Sequence, residues 1–128
     1  MKIIIIDSST MERRILSDFL SDQGFKVETF DRLSSRLNVL NDGEAPPCVV
    51  ILGVSGAQNQ GLLKVAEVVA AYPCAPIILL ADRTFCMDAH SPHIETIQAI
   101  VRRPVQLEEL EWILRRLSRA KQAGANRQ

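Results

Sequence analysis

Two kinds of apolar pattern alternate along the chain, and the alternation decides the fold class. Ile3 to Ile6 form an unbroken apolar run, the pattern of a strand buried on both faces. Cys48 to Leu52 is a second such run and Ile77 to Leu80 another. Phe25 and Val27, with Phe30 beyond them, alternate with polar residues as a strand near a sheet edge does. Ile97, Ala99, Ile100 and Val101 supply a short fifth strand before Pro104, or else Ile97 closes a short preceding helix.

Between these runs the spacing turns helical. Ser9-Thr10-Met11-Glu12 reads as a capping box, with the Ser9 hydroxyl and the Glu12 carboxylate satisfying free amides at a helix start. Ile15, Leu16, Phe19 and Leu20 follow at helical spacing, and Gly24 stands where a left-handed residue ends the helix. Asp31 caps a second helix marked by Leu33, Leu37 and Leu40, stopped by Asp42-Gly43 and Pro46-Pro47. Leu62, Leu63, Val65, Ala66, Val69 and Ala70 mark a third, closed by Pro73. The stretch from Arg83 to His93 lacks periodicity and contains Pro92, so a fourth helix there is expected to be weak or irregular. Leu107, Leu110, Ile113, Leu114 and Leu117 give the clearest stripe, with Glu108 and Glu109 at its start and Arg115, Arg116 and Arg119 at its end, complementing the helix dipole. Trp112 lies about 200° around this helix from Leu110 at ~100° per residue, which puts it at the surface.

Five strands alternating with five helices imply right-handed parallel crossovers and a flavodoxin-like, doubly wound α/β sandwich with strand order 2-1-3-4-5. The switch point of that order lies between the carboxyl ends of strands one and three, where any site is to be sought. The residues delivered there are Asp7 and Ser8, Gly53, Ala81 and Asp82, and Arg103.

Composition narrows the function classes. The 128 residues are about one domain, 47% hydrophobic and 23% charged, with no apolar run near the length of a membrane helix. Fifteen Lys and Arg balance fifteen Asp and Glu, so no global positive field gathers nucleic acid or anionic lipid. The odd cysteines Cys48, Cys74 and Cys86, and an N-terminus without a signal-peptide pattern, fit the reducing cytoplasm. Cys74, Cys86, His90 and His93 match no usual zinc spacing and are taken as structural or surface residues. Cys48 reads as a small hydrophobe. Gly53, Gly56 and Gly61 leave room for a phosphate near a helix start but form no recognised phosphate loop.

On these motifs residues 2 to 118 resemble a response-regulator receiver domain. Ile6-Asp7-Ser8-Ser9-Thr10-Met11 is similar to the acidic motif after strand one, with Ser8 at a second acid position. Gly53 stands where such receivers carry the phosphorylated aspartate, Ala81 where they carry Ser or Thr, and Arg103-Pro104 where they carry Lys-Pro. Cys48-Val49-Val50-Ile51-Leu52-Gly53 and Ala75-Pro76-Ile77-Ile78-Leu79-Leu80 resemble strands of the atypical N-terminal domain of FleQ and FlrA type flagellar master regulators, which are sigma-54-dependent activators. The resemblance implies a pseudo-receiver domain over 1–121, with 122–128 a flexible tail or linker start.

It also implies a non-enzyme. Receiver phosphorylation needs a carboxylate nucleophile and Mg²⁺ held by acids and phosphate; Gly53 supplies no nucleophile and Asp7 beside Ser8 is a poor metal remnant, so no metal or cofactor is expected. Arg103 then needs another anion. One reading is a direct contact with Asp7 or Asp82 that locks the crevice; the other points Arg103 to solvent and leaves Asp7 capping the first helix. What remains for function is a surface, with Ile100 near the position of the receiver switch aromatic and with Trp112 and Arg116 on the last helix. The expected role is control of a sigma-54-dependent flagellar activator through a homodimer or through docking to an adjacent AAA+ ATPase domain or an anti-activator. The competing roles are a stand-alone adaptor and a sensor of a small ligand such as a cyclic dinucleotide.

Overall fold

Each apolar run becomes a strand, and successive side chains on each strand feed two separate cores. The computed structural model describes residues 2–32, 49–55, 58–87 and 90–125. Its elements are β1 (Lys2–Ile6), α1 (Thr10–Asp22), β2 (Lys26–Phe30), β3 (Val49–Val54), α2 (Gln58–Ala71), β4 (Ile77–Ala81), a 3₁₀ turn (Ile94–Thr96), β5 (Ile97–Arg102) and α3 (Leu107–Ala125). The sheet has five strands in the order β2-β1-β3-β4-β5, all parallel, as the sequence predicts.

Ile4, Ile6, Val50, Leu52, Ile77 and Leu79 face one side and pack with Val65 and Val68 of α2. Ile3, Ile5, Val49, Ile51, Ile78 and Leu80 face the other and pack with Leu16 and Leu20 of α1 and Leu110 and Leu114 of α3. Strands buried on both faces read as unbroken apolar runs for this reason, and each fully buried Ile or Leu contributes roughly 1.5–3 kcal/mol. The register between β4 and β5 shifts between Ile77 and Ile78, which pair with Ile97 and Ala99. The extra residue, Gln98, lets Ile97 and Ala99 serve opposite cores.

Three α-helices, not five, accompany the sheet among the described residues. The second expected helix, with Leu33, Leu37 and Leu40, lies outside them, as do Cys48 and Gly56. Where the fourth was expected, the described residues hold a 3₁₀ turn and no α-helix. The reason is local: Asp82 Oδ1 accepts from the amides of Thr84 and Phe85, at 3.1 Å each, closing a side-chain turn that competes with a helix. Phe85 is drawn fully into the core. Helix α3 continues through Ala125, beyond residue 121 where a polar tail was expected. Gly24 ends α1 with φ +95° as predicted.

Candidate functional site

The carboxyl ends of β1, β3, β4 and β5 bring Asp7, Gly53, Ala81 and Arg103 together. Asp7 is buried, 4% exposed, just past β1. Ser9 donates its amide to Asp7 Oδ1 at 3.1 Å, and Arg13 donates to the Asp7 carbonyl. Arg103, one residue beyond β5, lays its guanidinium across the strand ends: Nη2 donates to Asp7 Oδ2 at 3.3 Å and to the Leu80 carbonyl at 3.4 Å, while Nη1 donates to Glu12 Oε2. Its amide bonds the Ala81 carbonyl at 2.9 Å, and the Arg103–Pro104 peptide is cis. Of the two sequence readings of Arg103, the contact with Asp7 is the one observed. Asp82 instead turns Oδ1 onto Thr84 and Phe85.

Glu12 was missed as a partner. The capping-box motif assigns its carboxylate to the Ser9 amide, but only half of the box forms: Ser9 Oγ accepts from the Glu12 amide at 3.3 Å. Asp7 takes the Ser9 amide, and the Glu12 carboxylate goes to Arg103. A lone Arg after the last strand, facing a helix start that carries an extra acid, was the available signal.

Gly53 sits against this ion pair. A Cβ built there would lie 2.6 Å from Asp7 Cγ and 2.9 Å from Arg103 Nη2. Asp7 and Arg103 thus fill the space into which a side chain at 53 would project. A crevice of about 330 Å³ opens at the same strand ends, lined by Asp7, Gly53 and the exposed Ser8, with Asp31, Arg32, Lys64 and Glu67 among its walls.

The other candidates separate. The space in front of Gly61 is taken by the Phe85 ring, into which a Cβ there would run. Cys74 and Cys86 are exposed free thiols. Among the described residues no group of three or more His, Cys, Asp or Glu side chains could hold a metal ion. Ile100 is half-buried against the α2-side core, whereas Trp112 is 59% exposed on α3, with the Arg116 guanidinium 4.8 Å from its ring centre. The strand therefore separates Ile100 from the other two surface residues.

No protein-family model matches the chain, and no curated protein matches it. Solved structures do. A response regulator receiver domain protein from Clostridium thermocellum superposes with TM-score 0.77 at 20% identity, over 95% of this chain and 97% of that one. The fold is that of a response-regulator receiver domain. Chemotaxis protein CheY4 of Vibrio cholerae has the same receiver fold, with TM-score 0.71 and 24% identity over 91% of this chain and 97% of its own. NtrX from Brucella abortus matches with TM-score 0.74 and 21% identity over 98% of this chain but 28% of its own, so there the receiver fold is one part of a longer protein. No helix among the described residues is long and apolar enough to cross a membrane.

Proposed function

We propose that the chain is a non-catalytic, atypical receiver domain that signals by dimerisation or docking without aspartate phosphorylation, within a FleQ or FlrA type sigma-54-dependent flagellar activator. One observation carries this reading: at the strand end where a phosphoacceptor would project there is Gly53, and the space is filled by the Asp7–Arg103 pair. The donor set does not fit Mg²⁺, which wants free carboxylate oxygens. Both oxygens of Asp7 are engaged, by the Ser9 amide and the Arg103 guanidinium, and Glu12 is engaged by the same cation. The flagellar assignment is supported by the Leu52-Gly53 strand end and the Ala75-Pro76 strand start.

In this reading residues 1–121 are a cytoplasmic pseudo-receiver unit whose partners are a second copy, a downstream AAA+ ATPase domain or an anti-activator. The match to part of NtrX, and to the N-terminal domain of a three-domain response regulator/sensory box/GGDEF protein from Carboxydothermus hydrogenoformans, supports a unit built to sit beside others. Incubation with labelled acetyl phosphate and Mg²⁺ tests it: no acyl phosphate is expected, and a stable acyl phosphate on any side chain overturns it. A second reading, a small-ligand sensor, rests on the crevice, whose walls carry Arg32 and Lys64 beside Asp7, Asp31 and Glu67. A rise in melting temperature with a cyclic dinucleotide would select it.

A further inference from the structure

The outward face of α3 carries charge in an ordered way. Glu108, Glu109, Trp112, Arg116 and Arg119 are all exposed, with the acids one turn before the tryptophan and the bases one and two turns after it. Among the described residues no salt bridge within the chain engages Glu108, Glu109, Arg116 or Arg119, whereas Arg115 is held by Glu111 at 3.0 Å and lies 5.4 Å from the Phe25 ring centre. A depression of about 280 Å³ runs along the stripe beside Trp112.

We infer that α3 pairs antiparallel with α3 of a second copy of this chain, about a two-fold axis passing at Trp112. This rests on the reading of the chain as an interaction module and names its partner and geometry. A two-fold axis perpendicular to a helix at residue 112 brings the position four residues before it opposite the position four residues after it in the other copy. Glu108 of one copy then faces Arg116 of the other, twice over, and the two Trp112 rings meet at the centre. Residues four apart lie about 6 Å along a helix and on nearly one face, so one stripe supplies both rings and both ion pairs. Arg116 is already ordered over its own Trp112 ring, which lowers the entropy lost on pairing. A partner of one charge would satisfy half of this stripe and repel the other half. A copy of the stripe, reversed, satisfies both halves.

Sedimentation velocity on the full chain over a concentration series tests the pairing. Wild type is expected to move from monomer to dimer, and W112A to weaken the dimer on the order of tenfold or more. E108R and R116E are each expected to be monomeric, because each sets like charges against each other at both sites. Mixed in equal amounts they are expected to form a heterodimer, since every facing pair is then opposite in sign, and the double variant E108R/R116E is expected to self-associate again. A wild type that stays monomeric overturns the inference and leaves docking to another domain as the surviving form of the proposed function. A dimer indifferent to these charges overturns the helix pairing while leaving dimerisation standing. Label uptake from acetyl phosphate would instead sink the underlying reading. Thermal melts at concentrations where every form is monomeric, expected to keep the wild-type midpoint because the changes are on the surface, separate lost pairing from lost folding.

Discussion

The strand ends and the outer face of α3 carry the same side-chain types and treat them in opposite ways. At the strand ends Arg103 is shared by two carboxylates and a carbonyl, and both oxygens of Asp7 are spoken for. On α3, Glu108 and Arg116 face water, and Trp112 stays 59% exposed. A site whose charges are satisfied internally has little left to offer a ligand, because any newcomer must first break bonds that desolvated groups cannot easily replace. A surface with uncommitted charge around an exposed ring keeps its binding free energy in reserve. The difference is between charges that hold the sheet end together and charges on the last helix that the proposed pairing would use.

Mutations break the comparison in graded steps. The largest effect is expected from Arg103→Ala, which strands Asp7 without its counter-ion. Removing one partner of a buried pair costs about 3–5 kcal/mol, and the 20% exposure of Arg103 argues for about 3. Urea unfolding reads it, and a variant as stable as wild type would mean the pair is no lock. Next comes Gly53→Ala, whose Cβ would press on Asp7 Cγ from 2.6 Å; overpacking of this kind costs about 1–3 kcal/mol. Gly53→Asp is expected to be destabilised likewise and to remain unlabelled by acetyl phosphate, since the ion pair occupies the room its carboxylate needs. Labelling of that variant would show the pocket to be one residue from competence.

Gly61→Ala follows. The new methyl meets the buried Phe85 ring, and the ~1 kcal/mol gained in helix propensity offsets part of the overpacking. A net loss near 1 kcal/mol is expected, and a gain would show that Phe85 yields freely. The smallest effect on stability belongs to Trp112→Ala, expected within about 0.5 kcal/mol of wild type. A loss of several times that would show Trp112 to be a structural residue and not part of the proposed pairing surface.

What the sequence reveals and conceals follows from the range of each interaction. The strands and their order were legible because full burial on two faces leaves an unbroken apolar run, and the register of Ile3 to Ile6 against Val49 to Leu52 repeats it. The Asp7–Arg103 contact was legible as one of two options because an unpaired cation at a sheet end needs an anion. Glu12 was not, because its bond to Arg103 spans 91 positions while the capping box offered a partner three residues away. Phe85 was hidden for a related reason. It stands alone in an aperiodic stretch, and its burial depends on a notch at Gly61 that no spacing rule connects to it.

Arg102 and Arg103 are neighbours that reach to opposite sides of the sheet. Arg102 Nη1 donates to the carbonyls of Asp82, at 2.8 Å, and Phe85 on the α2 side, while Arg103 reaches Asp7 and Glu12 on the α1 side. Because side chains alternate along a strand, sliding β5 by a single position would exchange the two and unfasten both. This edge strand, open on one side to mispairing with a foreign chain, is thus keyed in place by a double-sided tooth, and a fault on either side would be felt as slippage rather than as a lost contact.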